Sequence, residues 1–184
     1  MDLVDRFAAA FEGSDKAHGQ TTVGAKRRNG KTEAKSLIVK EPLTKELIAQ
    51  HLNGHKGVGS IPITDQNVCK FGVLDIDKYP IDHSQIQKKC DKLGIPFVVC
   101  RSKSGGAHLF LFMKDWVRAV DMRDYLTEFS AVLGYSGCEV FPKQDQILAE
   151  RGDVGNFINL PYFDSENTLR YAVNAKGAEL SLEQ

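Results

Sequence analysis

Phe71-Gly-Val-Leu-Asp-Ile-Asp77 reads as a buried strand that ends in two carboxylates with one residue between them. Alternate side chains of a strand share a face, so Asp75 and Asp77 point the same way. The apolar residues before them imply burial, and buried carboxylates need a cation or hydrogen-bond donors to offset their charge. Two divalent ions, roughly 3.5–4 Å apart in two-metal phosphoryl-transfer sites, are suitable partners. Exposed turn caps ahead of Tyr79-Pro80 would show the same dipeptide spacing, so the segment takes its meaning from what surrounds it.

Arg101-Ser-Lys-Ser-Gly-Gly-Ala-His108 supplies that context. It lacks the Walker pattern and is no P-loop. Gly105 and Gly106 permit close approach of backbone amides to an anion, Lys103 adds charge and Ser104 adds a hydroxyl donor. His108 shares a strand face with Phe110 and Phe112, the usual setting of a satisfied core histidine. Its place directly after the glycines predicts a donor to phosphate instead.

Mg²⁺ or Mn²⁺, as a pair of ions, is the expected cofactor, because both prefer oxygen ligands and tolerate waters and phosphate oxygens. A third carboxylate is expected from Glu139, in Cys138-Glu-Val-Phe-Pro-Lys-Gln144, with Asp145 in reserve. Lys143 follows Phe141-Pro142, where the proline fixes its approach. Asn156 and Asn159 stand in an otherwise apolar segment and must find partners there. Asn156, beside a glycine, is the expected nucleotide ligand, and Asn159 is read as structural.

The chain of 184 residues suits one well-buried core, and its 42% hydrophobic and 26% charged residues exclude wholesale disorder. Met1-Asp-Leu-Val-Asp has acids where a signal peptide needs basic residues, and no apolar run reaches membrane-spanning length, so a cytoplasmic protein is expected, with no membrane partner. Four cysteines without a Cys-x-x-Cys pair argue against a zinc knuckle or a disulfide frame. They are expected as small buried residues, Cys69 being the one close enough to the site to be oxidation-sensitive. Net charge is zero, yet residues 16–45 hold eight Lys/Arg against two acids. That basic share suits a phosphate backbone or, equally, a solvated hairpin.

Periodicity gives a helix over 2–12, strands at 20–24 and 33–40 joined through Asn29-Gly30, a type I′ turn signal, and a helix capped by Thr44. A strand over 58–63 follows, then the Asp75 strand, a helix from Asp82 to Leu93, strands at 97–100 and 107–113, and a helix over 116–133. Short strands are expected near Glu139, Phe157 and Tyr171. Hairpins among alternating strands and helices favour an α+β fold, with a mixed, mostly antiparallel sheet covered by helices. The chain is read as one catalytic domain, 1–184, with a smaller N-terminal αβ module over 1–65 and a catalytic module over 66–184.

His51-Leu-Asn-Gly54, Leu74-Asp-Ile-Asp77, Arg101 to His108, Phe141-Pro-Lys-Gln-Asp145 and Gly155-Asn-Phe-Ile-Asn-Leu-Pro161 occur in the order found in the archaeo-eukaryotic primase superfamily. Together they resemble its primase-polymerase catalytic core, the likeness being greatest to primases of mobile elements, TOTE-type conflict systems and CRISPR-associated systems. The resemblance implies an RRM-like catalytic sheet paired with a second αβ module. It also implies metal binding by Asp75, Asp77 and a later acid, and triphosphate binding by Ser104 and His108 with Lys103 and Asn156. The zinc-binding module and helicase segment that often accompany this family are not in the sequence, and are expected on another chain or segment.

The expected activity is templated nucleotidyl transfer on a single-stranded DNA template and primer, with NTPs or dNTPs as substrate. Lys143 would assist at the phosphates, and Lys26, Arg27, Arg28 and Lys31 would track nucleic acid. A Toprim-like nuclease or primase also uses Asp-x-Asp but needs a glutamate on an earlier strand, which residues 58–63 do not supply. A non-catalytic RRM-like module for single-stranded nucleic acid would need exposed aromatics on its sheet.

Overall fold

The alternation in residues 71–77 divides the protein's interior in the computed structural model, which describes residues 2–26 and 32–184. Leu74 and Ile76 enter one hydrophobic core, and Phe71 and Val73 enter another. In chain order the elements are α1 (Leu3–Ala10), β1 (His18–Lys26), β2 (Thr32–Val39), α2 (Lys45–Leu52), β3 (Gly57–Ser60), β4 (Val68–Ile76) and α3 (His83–Leu93). There follow β5 (Val98–Arg101), β6 (Ala107–Arg118), α4 (Ala119–Leu133), β7 (Glu139–Phe141), a 3₁₀ turn (Ala149–Arg151) and β8 (Ile158–Asn159).

Two four-stranded sheets result, ordered β2-β1-β3-β8 and β5-β6-β4-β7, with every strand pair antiparallel. This is the α+β class expected from the sequence. On one face of the second sheet, Leu74, Ile76, Leu109 and Leu111 pack with Ile86 and Cys90 of α3 and with Met122 and Leu126 of α4. On the other, Phe71, Val73, Phe110 and Phe141 meet Phe7 and Phe11 of α1, Ile48 and Leu52 of α2, and Val58 and Ile158 of the first sheet. Phe11 makes edge-on contacts with Phe71, Phe110 and Phe112 at 5.3–5.5 Å between ring centroids. Aromatic pairs in this geometry add to the gain from burial.

The predicted caps are present. Thr44 accepts from the Leu47 amide, and Asp82 accepts from that of Gln85. Two expectations need correction. Residues 116–118 continue β6 instead of opening α4, because Val117 and Arg118 pair with Cys69 and Val68 across the ladder. The strand read at 58–63 stops at Ser60, and Ile61 and Ile63 are buried in a third, smaller core. The first sheet takes its fourth strand from β8, so the N-terminal module at 1–65 is completed by the C-terminal part of the chain. No described helix is long and apolar enough to cross a membrane.

Cys69, Cys90 and Cys100 are buried and Cys138 is half-buried. Burial pushes the Cys69 thiol up to about 12, and the residue pairs at the Val117 end of the ladder, remote in register from Asp75. It therefore lacks the thiolate character that oxidation needs, contrary to the expectation for it.

His51 is fully buried and uses both ring nitrogens. Nε2–H donates to the Pro161 carbonyl at 2.8 Å, and Nδ1 accepts from the Val58 amide at 3.1 Å, tying α2 to β3 and to the segment after β8. Burial is the main cause holding its pKa down to about 4. The unfolded chain takes up this proton near pH 6.5 and the folded chain does not, so the stabilisation is full above pH 6.5 and is lost as pH falls towards 4. It amounts to on the order of 3 kcal/mol. His51→Gln should lower unfolding free energy by roughly 2–4 kcal/mol at neutral pH, since buried backbone groups lose partners. It should also flatten the pH dependence of urea unfolding between pH 6.5 and 4.

Candidate active site

Asp75 lies between two partners on one cross-strand row, opposite His108 of β6 and opposite Glu139 of β7. Directly opposed residues of antiparallel strands share a face, and here it is the face that buries Phe71 and Val73 deeper in the protein. The carboxylates stand where this inter-sheet core meets water: Asp75 is half-buried and Asp77 exposed. His108 Nε2 is 3.3 Å from Asp75 Oδ1, and the ring lies edge-on to Phe110 at 5.9 Å.

The loop between β5 and β6 forms the facing wall. The Ser102 amide donates to the Gly106 carbonyl at 2.8 Å, the Gly105 amide to the Ser102 carbonyl at 3.1 Å, and His83 of α3 to the Gly106 carbonyl at 2.8 Å. Gly105 has φ +92°, and a Cβ on Gly106 would stand 2.5 Å from the Ile76 carbonyl oxygen. Both positions therefore require glycine. The tight turn brings Ser102, Lys103 and Ser104 round to Asp75 and Asp77.

A cavity of about 360 Å³ lies between these walls, lined by Asp75, Asp77, Ser102, Lys103, Ser104, His108, Asn159 and Arg170. Five of these were predicted as site residues. Ser102 and Arg170 were missed, and Asn159, read as structural, is part of the lining. Its Oδ1 accepts from Thr21 of β1 at 2.9 Å, which orients the amide. Asn156, the expected ligand, is outside the lining and takes a hydrogen bond from Gln144. A larger hollow of about 440 Å³, bounded by Pro96, Leu111, Met113, Met122 and Tyr125, is mainly apolar and lacks this set of acids and cations.

The remaining predicted residues take other places. Glu139 is exposed and pairs with Lys143 at 3.0 Å, while the Lys143 ammonium lies 5.0 Å from the Phe141 ring centroid. Asp145 pairs with Arg123 of α4. Among the described residues, no three His, Cys, Asp or Glu side chains converge as a ready-made metal cage. The donor set nevertheless fits a hard cation. Mg²⁺ is commonly held by one or two carboxylates, with waters and substrate phosphates completing its shell. Of the predicted basic turn, Arg27, Arg28 and Lys31 lie outside the described residues, and Lys26 is described as the last residue of β1.

Arg170 is the strongest signal that the sequence withheld. It is 8% exposed, its guanidinium lies 5.3 Å from the Phe163 ring, and Nη1 donates to the Leu160 carbonyl at 3.5 Å. No carboxylate pairs with it among the described residues, and burial pulls its pKa below the usual arginine value. A buried cation facing a cavity without a counter-ion is suited to an anion that arrives with the ligand.

A family model for the archaeo-eukaryotic primase domain of TOTE conflict systems matches residues 5–173. No curated protein matches the sequence. The chain belongs to this archaeo-eukaryotic primase family, and its α+β architecture of two antiparallel sheets accords with that membership. At the level of the family, the associated chemistry is primase-like nucleotidyl transfer.

Arg170→Met keeps an apolar stem against Phe163 and removes the unpaired charge. The expected outcome is an unchanged or higher melting midpoint, together with roughly tenfold weaker binding of inorganic tripolyphosphate in calorimetry.

Proposed function

We propose that this family member is a primase-polymerase that joins nucleotides on a single-stranded DNA template, with NTPs or dNTPs as substrates. The observation that carries the reading is the single cavity in which Asp75 and Asp77 face Lys103, Ser104, His108 and Arg170. That opposition of acids to cations and donors suits a triphosphate that enters with divalent cations. Asp75 and Asp77 would hold Mg²⁺ or Mn²⁺, with Glu139 across the strand pair as the third carboxylate once released from Lys143. Ions bound there supply Lewis-acid activation of the attacking hydroxyl and charge neutralisation at the departing pyrophosphate.

The chain's own residues orient the substrate. Lys103 and Arg170 neutralise phosphate oxygens, and Ser104 and His108 donate to them, so that charge developing in the transition state meets donors already in place. The fixed amide of Asn159 offers a further donor on the opposite wall. Lys143 would be available to the same phosphates if Glu139 served as the third metal ligand. The basic residues Lys26, Arg27, Arg28 and Lys31 are assigned to template and primer phosphates, giving binding that weakens with salt. A cytoplasmic setting belongs to this reading, as does a helicase or zinc-binding module on another chain or segment.

The protein incubated with single-stranded template, Mn²⁺ or Mg²⁺ and labelled NTPs or dNTPs, with and without primer, should yield dinucleotides or extended strands. Asp75→Ala with Asp77→Ala should abolish the product while preserving the melting midpoint, since two mutually repelling acids near the surface are removed. Nicked DNA in place of extended strands would indicate a nuclease. Triphosphate binding without any product, or full activity in the double variant, would overturn the proposal.

A further inference from the structure

Tyr79 stands outside the cavity lining, on the segment between β4 and α3, yet its phenol touches two of the lining groups. The hydroxyl is 3.0 Å from Asp77 Oδ1 and 2.9 Å from Ser104 Oγ, and Ser104 Oγ is 3.4 Å from Ser102 Oγ. Asp77 and Ser104 belong to separate segments, one at the end of β4 and the other in the β5–β6 loop. Tyr79 bridges them from behind.

Hydrogen-bond chemistry fixes the direction of the bridge. A carboxylate only accepts, so the one phenolic hydrogen goes to Asp77, and Ser104 donates its own hydrogen to the phenolic oxygen. We infer that Tyr79 is a positioning residue that fixes the Asp77 carboxylate for a divalent cation and holds the Ser104 hydroxyl in reserve until a triphosphate claims it. The inference rests on the metal-dependent reading proposed above. Side chains that hydrogen-bond to metal-ligating groups orient them, and losing such a partner commonly costs 10–100-fold in metal affinity.

The two contacts have opposite consequences. Without the phenolic hydroxyl, Asp77 loses its donor and rotates freely, which weakens the cation site. Ser104 meanwhile loses the acceptor that engages its hydrogen, which leaves it free for phosphate. A merely structural Tyr79 would weaken both kinds of binding together. The residue is 56% exposed, so removing one oxygen leaves the fold largely untouched.

Tyr79→Phe tests this in two titrations beside the wild type and the Asp75→Ala/Asp77→Ala protein: Mn²⁺ binding followed by electron paramagnetic resonance, and inorganic tripolyphosphate binding in metal-free buffer by calorimetry. The expected result is a rise in the Mn²⁺ dissociation constant of about tenfold or more, with tripolyphosphate binding equal or tighter. Mn²⁺ binding equal to wild type, or both ligands weakened together, would overturn the inference while leaving the proposed function standing. A wild-type protein that binds no more Mn²⁺ than the double variant would overturn the metal site, and the role of Tyr79 with it.

Discussion

Two adjacent cross-strand rows in the second sheet hold the site together. Val98, Phe110, Val73 and Phe141 stand side by side across β5, β6, β4 and β7, and two residues further along the strands stand Cys100, His108, Asp75 and Glu139. In the first row Phe110, Val73 and Phe141 pack into the core between the sheets while Val98 is exposed at the sheet edge; in the second, Cys100 is still buried and His108, Asp75 and Glu139 turn polar at the margin of that core. A slip of one residue in any pairing would send its member to the face covered by α3 and α4. The tight packing of Phe110 and Phe71 therefore positions the carboxylates.

The second wall of the cavity depends on contacts that are long-range in sequence. Asn159 reaches the site because Gly59 pairs with it in the β3–β8 ladder, and Thr21 of the neighbouring β1 then holds its amide. Arg170 enters through the chain segment that follows, where the Tyr162 amide donates to the Arg170 carbonyl and the Arg101 amide donates to the Tyr171 carbonyl. His51 supports the same region from below by holding the Pro161 carbonyl. The first sheet thus helps to build the candidate site, since β8 supplies Asn159 to the cavity lining.

What the sequence revealed follows from how local each feature is. Asp75, Asp77, Lys103, Ser104 and His108 lie on two short segments whose alternation and glycines describe their own geometry, and each was legible. The helix caps at Thr44 and Asp82 are local in the same way. Asn159 and Asn156 are three residues apart in similar surroundings, and only the pairing of Asn159 with Gly59 decides which of them faces the cavity. Arg170 sits between an exposed Leu169 and a partly buried Tyr171, a pattern that carries no sign of its burial. Tyr79 looks like an ordinary turn residue until the β5–β6 loop folds against it. The helical periodicity read through Trp116 and Val117 gave way to the ladder with β4, which suits these strand-favouring side chains and which local periodicity does not reveal.

The electrostatics of the cavity explain why such a site persists in a chain with no net charge. Asp75 has a histidine for a neighbour, Asp77 has a phenol, and Arg170 has a carbonyl and an aromatic face. None of the three has a strong counter-ion among the described residues, whereas Lys143–Glu139 and Arg123–Asp145 pair off just outside the lining. Leaving opposite charges unpaired across a cavity costs stability that direct pairing would recover. A ligand that brings both a polyanion and divalent cations satisfies both walls at once, and neither component alone does so. On the proposed reading, selectivity for the metal-bound triphosphate over free phosphate or free metal would then arise from this spacing of charge.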